Sequence, residues 1–578
     1  MDRITGQLVN GFLETEEIEE QDESIQFEMF SNYSIVANEY NKTFDYSILN
    51  IGGGDDTGID GLAIIVNGHL IENTDEIDTL KESNGYLEVT YIFIQSKTST
   101  SFNLGEMLKF YNGIKDFFNE NPTMRRNEDI ERFSQLSNHI FDNANSFKEN
   151  PVCKAYYVST GTWNEADQTL NSAKKSIITD LNASNLFSKV ESHTYGTREI
   201  TTAYRKTKNP ITATFTFSNK ATLDVIDGIN QSYYGVIPFI EFKKILIDSN
   251  DNIHMVFDDN VRDYQGSETT VNQKINDALN NHNPFLFSVL NNGITIVAST
   301  IKTSANIFTI EDYQIVNGCQ TSNVLYAHRD NESLNTLNIP IRLIATEDED
   351  IKSKITVSTN NQTAIKAEQL TAMSTFQKDL ESYYNTRTID EDGGKLYYER
   401  RSKQYNTDGD VIKRRIITIP NQIKSFSAMF LQNPDKVTSF YGTIVKDIGG
   451  TSSSIFKDND KHIVYYLAGL AFYRLDILFS NGTIPSNYKK IRYFLLMLFL
   501  KYASENAPIP QLNNRRIESF CESIITKLNN YDICKELFEK TVNLIVVSGI
   551  DIEDKRYIKS VGITSTLLDK FSEVYSSN

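Results

Sequence analysis

Cysteine is scarce in this chain. Cys153, Cys319, Cys521 and Cys534 are widely scattered, and no CxxC pair occurs. That excludes a disulfide framework and a zinc ribbon, and it fits a reducing compartment. Long apolar runs are missing too. The longest, "YFLLMLFL" at 493–500, is far short of the roughly twenty residues that a membrane span needs, so it reads as a buried helix face. The N-terminus, "MDRITGQLVNGFLETEE", has no apolar signal-peptide core. These absences predict a soluble, cytoplasmic protein without a membrane partner. Cations are in deficit: 57 Lys and Arg face 76 Asp and Glu, a net charge of −19, which counts against undirected nucleic-acid binding.

What is present describes a folded protein. A hydrophobic fraction of 39%, 11% aromatic residues and only 11 prolines predict globular structure, and 578 residues are too many for one core. A local basic path has candidates in Arg125–Arg126, Lys174–Lys175, "YRKTK" (204–208), "YERRSK" (398–403) and "KRR" (413–415).

The element order predicts three domains. The spacing of Phe30, Tyr33, Ala37 and Tyr40 predicts a helix after the acidic stretch 14–23. "GLAIIVNGHLI" (61–71) reads as two strands closed by Asn67–Gly68. "YLEVTYIFIQSK" follows as a strand, 105–118 as an amphipathic helix, 152–160 as a strand, about 165–181 as a helix, and "SKVESHTYG" as a strand. This α-β-β-β-α-β-α-β order describes an α/β domain over 1–205. An α+β middle domain spans 206–450, ending at the linker "GGTSSS" (449–454), and an all-α domain fills 451–578.

The strand "YIFIQSKTS" (91–99) turns polar at its end. Side chains alternate along a strand, so Val89, Tyr91, Phe93, Gln95 and Lys97 share one face, and the last two emerge where α/β sheets commonly place ligands. Asp60, in "GDDTGIDG", enters from a neighbouring turn. Its carboxylate, the Gln95 amide oxygen and the Ser96 carbonyl are hard oxygen ligands suited to Mg²⁺, and Mn²⁺ is a substitute. Lys97 is placed to orient a water and offset transition-state charge. Glu28, on the first helix, is a further metal or water ligand. Glu88 starts the strand on the opposite face, and Glu106 opens the next helix, where it serves the helix N-terminus.

"GIDG…FIQSK" resembles the D…(D/E/Q)xK signature of PD-(D/E)xK nucleases, in the Mrr-like variant with glutamine in the middle position. The resemblance implies a restriction-endonuclease-like fold for 1–205. It gives Asp60 and Gln95 metal-ligand roles, Lys97 the catalytic-lysine role, and Glu28 the helix-borne acid.

A second constellation is rich in Asn and Gln: "FDDNVRDYQG" (257–266), "VNQKI" (271–275), "FSVLNNGITIVA" (287–298), "YQIVNGCQTSNVL" (313–325) and "STNNQTAIKAEQL" (358–370). Asn292–Gly293 reads as a hairpin turn, and Asn317–Gly318 as a turn before a helix from Gln320. Arg262 and Asp263 suit an ion pair or a phosphate contact. Cys319 has no histidine nearby in sequence to activate it. The set, with Asn260, Asn291, Asn361 and Gln362, resembles the AIPR (abortive infection phage resistance) family over roughly 210–450. That resemblance implies a bacterial antiphage setting and a phage-derived trigger, without assigning the domain an activity.

Together these features predict a metal-dependent endonuclease acting on nucleic acid, DNA before RNA, and assembled as a homodimer because cutting a duplex calls for two active sites. The rival is a sensor or scaffold that keeps the nuclease fold for binding alone.

Overall fold

The computed structural model describes residues 1–18, 21–40, 42–208, 211–224, 226–248, 253–254, 256–257, 287–290, 292–359, 374–389, 394–400, 404–405, 411–439, 454–552 and 562–576. The chain forms two compact units, one of Met1–Tyr204 together with Leu370–Asn578, the other of Arg205–Gln369.

In the first unit a five-stranded sheet has the order β2-β1-β3-β4-β5. Its strands are β1 (Gly61–Val66), β2 (His69–Leu70), β3 (Val89–Lys97), β4 (Val152–Ser159) and β5 (Lys189–Tyr195). Asn67 and Gly68 join β1 to β2 with φ of +49° and +71°, the left-handed pair that a tight hairpin turn requires. β3 runs antiparallel to β1 and parallel to β4, and β4 runs parallel to β5. One face of β3 (Val89, Tyr91, Phe93) packs into a core with α4 (Leu104–Phe117) and α5 (Glu128–Asp142). The other face (Ile92, Ile94) packs into a core that includes α1 (Arg3–Thr15), α2 (Glu23–Glu39) and α7 (Thr197–Lys208). Covered on both sides, β3 must be apolar almost throughout.

The helices α1, α3 (Thr74–Asn84), α5 and α7 are additions to the predicted order, while α6 (Gln168–Ala183) is the helix predicted near 165–181. Local chemistry explains the additions. The Asp2 carboxylate accepts from the Ile4 and Thr5 amides to start α1, and Asn127 accepts from Ile130 N to start α5. The C-terminal carbonyls of α4 are capped by buried Arg126, which donates to Asp116 O and Phe117 O.

The face predicted for α2 is only partly the buried one. Tyr33 and Ala37 are half-buried, whereas Ser31, Asn32 and Ser34 are fully buried beside Phe27, Phe30, Ile35 and Val36. Polar residues on this face have burial roles that a hydrophobic period does not register.

The C-terminal part of this unit is helical, as predicted, but its boundary differs from 451. One core runs from Phe376 to Phe571. The helix Ile419–Phe430 packs on the helix His462–Ser480, with the rings of Phe426 and Tyr465 stacked at 4.2 Å and Gln422 Nε2 donating to Tyr465 O at 2.8 Å. Helices on both sides of 449–454 therefore share one core, and the division into 206–450 and 451–578 is replaced by a core beginning near 375. His462–Ser480 is also long and apolar enough to cross a membrane by length and composition; 72% of its most apolar window is buried inside the protein.

The second unit has a six-stranded sheet, β6-β10-β9-β11-β8-β7. The strands are β6 (Thr212–Thr216), β7 (Asn219–Thr222), β8 (Gln231–Pro238), β9 (Ile294–Ser304), β10 (Ile307–Asn317) and β11 (Asn338–Ala345). Its core gathers α8 (Phe239–Leu246) and the helix Cys319–Ala327. Asn292–Gly293 is not the predicted hairpin turn: it precedes β9 and follows the short helix Phe287–Leu290, where Ser288 Oγ donates to Asn338 O. The hairpin lies at Ala305–Asn306, between Ser304 and Ile307, with Ala305 at φ +56°.

A close approach fixes the turn that precedes β1. Gly113, inside α4, sits where an added Cβ would strike the Thr57 carbonyl. Gly113→Ala favours the helix by about 1 kcal/mol in propensity, yet overpacking against rigid backbone costs about 1–3 kcal/mol. A lowered melting temperature in thermal denaturation is the expected outcome; an unchanged or raised one shows that the turn yields.

Candidate active site

The turn carrying Asp60 is tied down before the aspartate is reached. Asp56 Oδ1 accepts from Gly58 N at 2.7 Å and pairs with Lys109 Nζ at 3.3 Å. Gly58 adopts φ +82°, and Ile59 N donates to Asp56 O. Asp60 N donates to Ile94 O at 2.9 Å, which docks the turn against β3. The Asp60 carboxylate, only 5% exposed, then accepts from Ser96 N at 2.7 Å and lies 3.6 Å from Lys97 Nζ.

Three consecutive residues of β3 complete the cluster. Gln95 is fully buried and neither atom of its amide has a hydrogen-bond partner; the Ser96 hydroxyl is likewise buried and unpartnered. Leaving such groups unsatisfied costs about 1–3 kcal/mol each, so they are poor choices for packing alone. The Lys97 side chain is 31% exposed and reaches solvent beside buried Asp60.

Glu28 projects from α2 into the same field. Burial, and then the negative charge of Asp60, push its carboxyl up to about 7, against a smaller opposing pull from Lys97. Asp60 is also raised above the ordinary carboxylate range, chiefly by burial, with Lys97 opposing. Asp56 pushes both carboxyls upward. Tyr157, which faces Gln95 across the β3–β4 pair, is raised by burial and by the charges of Glu106 and Asp60.

The structure thus gathers Glu28, Asp60, Gln95, Ser96 and Lys97 at one strand end. Asn32, Asp56 and Tyr157 join them without having been singled out from sequence. For Asn32 the one signal was the cluster Ser31, Asn32 and Ser34 set between the apolar residues Phe27, Phe30, Ile35 and Val36 of α2. Among the described residues no three His, Cys, Asp or Glu side chains form a metal-binding group. The oxygen set at β3 has two carboxylates, an amide and a main-chain carbonyl, which suits a cation that keeps several waters. The unpartnered Gln95 Oε1 and two desolvated carboxyls fit a divalent cation as the missing partner.

The other candidates fare differently. Glu88 pairs with Lys148 at 2.9 Å, and Glu106 N is capped by Asn103. Arg126, Arg414 and Arg415 are taken up in ion pairs with Asp116, Asp476 and Glu17, so they do not line a basic path. In the second unit Asn317 pairs with Thr295 at the start of β9, two residues beyond Gly293, so the Asn292–Gly293 and Asn317–Gly318 segments lie side by side. Asn292 is exposed and Gln320 is buried in the helix Cys319–Ala327. Cys319 Sγ accepts from Asn323 Nδ2 at 3.4 Å. Asn260, Arg262, Asp263, Asn291, Asn361 and Gln362 lie outside the described residues, as does 271–275.

The raised Glu28 carboxyl makes stability depend on pH. Below its ordinary value of 4.5, folded and unfolded chains both hold the proton. Between 4.5 and about 7 the folded chain holds a proton that the unfolded chain has lost, so stability falls as pH rises and the loss is complete above about 7. Glu28→Gln removes that slope. In EDTA, its melting temperature relative to wild type is expected to be higher at about pH 8 than at about pH 5. Equal differences at both pH values refute the shift.

Residues 257–544 match the family model described as AIPR protein. The match begins later and ends further on than the 210–450 span predicted, because it includes most of the helical core; the Glu28–Asp60–Gln95–Lys97 cluster lies outside it. No curated protein matches the chain, and no solved structure does. Over residues 257–544 the chain is therefore similar to the AIPR family.

Proposed function

We propose that this protein acts in antiphage defence as a metal-dependent endonuclease, its active site at the C-terminal end of β3. The AIPR match suggests the defence setting, abortive infection. The observation that carries the nuclease reading is the buried, unpartnered Gln95 amide between anchored Asp60 and solvent-reaching Lys97. The combination fits the D…QxK variant that the PD-(D/E)xK resemblance implies, and aliphatic packing does not call for it.

Each side chain has a distinct task in that reading. Asp60, Glu28, the Gln95 amide oxygen and the Ser96 carbonyl would hold Mg²⁺ or Mn²⁺. When bound, the cation would supply Lewis acidity toward a phosphodiester and lower the pKa of a bound water. Lys97 orients the attacking water and offsets charge that grows on the phosphate oxygens. Glu28, with a carboxyl near 7, can take up and release a proton at neutral pH. The Ser96 amide keeps the Asp60 carboxylate turned toward the site. Nucleic acid, DNA before RNA, is the substrate, and a homodimer supplies the second active site for duplex cutting.

A second reading, binding without cleavage, is favoured by the Asp60–Lys97 pair, which neutralises the buried carboxylate without a metal. A cleavage assay on supercoiled plasmid, single-stranded DNA and RNA, with Mg²⁺, Mn²⁺ or EDTA, separates the two. Cutting that needs metal and falls by on the order of 100-fold or more in Lys97→Ala is the expected result. Because Lys97 offsets the buried Asp60 carboxylate, the variant's melting temperature should fall where Asp60 is ionised, and circular dichroism at the assay temperature checks that it is still folded when cleavage is compared. No cutting under any condition, with Mn²⁺ binding absent by calorimetry, overturns the nuclease reading.

A further inference from the structure

Asn32 is fully buried on α2, four residues after Glu28 and so on the same side of the helix. Its Nδ2 donates to the main-chain oxygen of Asp60 at 3.0 Å and to Asn50 Oδ1 at 2.9 Å. Ile51 N donates to the same Asp60 oxygen at 3.1 Å. Asp60 N is meanwhile committed to Ile94 O. The peptide of Asp60 is therefore gripped at both ends, from β3 on one side and from α2 and the 50–51 segment on the other.

Gly61 makes the grip possible. A Cβ there would overlap the Asn32 amide, so the close approach of helix to strand requires glycine at 61 and a flat side chain at 32. Asn32 Oδ1 is buried with no partner, a cost that a residue chosen only for packing would avoid.

We infer that Asn32 is a positioning residue: through its hydrogen bond to the Asp60 carbonyl it sets where the Asp60 carboxylate lies relative to Lys97 and to Glu28 on its own helix. The inference rests on the nuclease reading above for its catalytic consequence. A helix that delivers Glu28 and clamps Asp60 by the same face keeps the two carboxyls in register. Misplacement of a reacting group by about 1 Å costs on the order of 100-fold in rate.

The test uses the full chain and the variants Asn32→Ala, Asn32→Leu, Gly61→Ala and the Asn32→Ala/Gly61→Ala double. Asn32→Leu keeps the volume without the donor, should Asn32→Ala fold poorly. The expected result for Asn32→Ala and Asn32→Leu is a kcat for plasmid cleavage lower by on the order of 100-fold, with KM within about twofold. Amide hydrogen exchange should rise in the peptides spanning 57–63 and 94–97 and stay unchanged in the distant helix Arg515–Asn529. Gly61→Ala should reproduce the kcat loss, and the double variant should be no worse than Asn32→Ala by more than about twofold, because both changes break one contact.

Unchanged kcat in the Asn32 variants overturns the inference, as does a multiplicative double variant or exchange that rises throughout the unit. Wild-type protein that neither cuts nucleic acid nor binds Mn²⁺ removes the nuclease reading. In that event the exchange pattern alone decides the clamp: local loss of protection at 57–63 and 94–97 upholds it, and its absence refutes it.

Discussion

The structure of the first half turns on β3 being buried on both faces. A central strand covered by helices on each side must be largely apolar, and Val89, Tyr91, Ile92, Phe93 and Ile94 meet that demand, with Thr90 half-buried. Gln95 and Ser96 then break it while still buried, and Lys97 breaks it where solvent returns. The sheet can tolerate this because Asp60 and the Ser96 amide satisfy each other and Lys97 offsets the carboxylate. Everything else near the site serves that pairing. The Asp56 turn delivers Asp60, Gly113 lets α4 approach the turn, and α2 closes over the other side.

The same low-polarity surroundings shape the chemistry. Burial lifts both the Glu28 and the Asp60 carboxyls, and the Asp60 charge makes ionisation of Glu28 harder still. Burial thus makes the charged form costly at both positions, and Lys97 opposes that cost at both. Fold and function thus depend on one compromise: polar groups kept in a place where water cannot satisfy them. Such a cluster weakens the fold, and its persistence is better explained by a task than by packing.

Much of this was legible locally. The alternation along β3, the Asn67–Gly68 turn and the placing of Asp60, Gln95 and Lys97 at one strand end follow from period-two geometry and turn chemistry, which are properties of short segments. Asn32 was not legible, because hydrophobic periodicity equates buried with apolar, and α2 buries Ser31, Asn32 and Ser34. Asn292–Gly293 carries a hairpin's signature but joins a helix to a strand, while the real hairpin turns through Ala305–Asn306 with no glycine. The domain boundaries were the hardest to read. Arg415 meets Glu17 across 398 residues, and Lys424 meets Glu76 across 348, pairings that no local composition announces.

Those long-range pairings bear on how the protein is made. The middle unit is an insertion: the chain leaves the first unit at Tyr204 and re-enters it at Leu370. During synthesis the α/β half emerges first, yet Glu17 and Glu76 wait for Arg415 and Lys424, and the helical core closes only when Phe571 has left the ribosome. At about 5–20 residues per second, the interval from Tyr204 to that point is roughly 20–70 s. A truncated or stalled chain would therefore carry every residue of the β3 cluster without the scaffold that completes its unit. The first unit is thus completed only after its last helices are made, long after the residues of the β3 cluster have emerged.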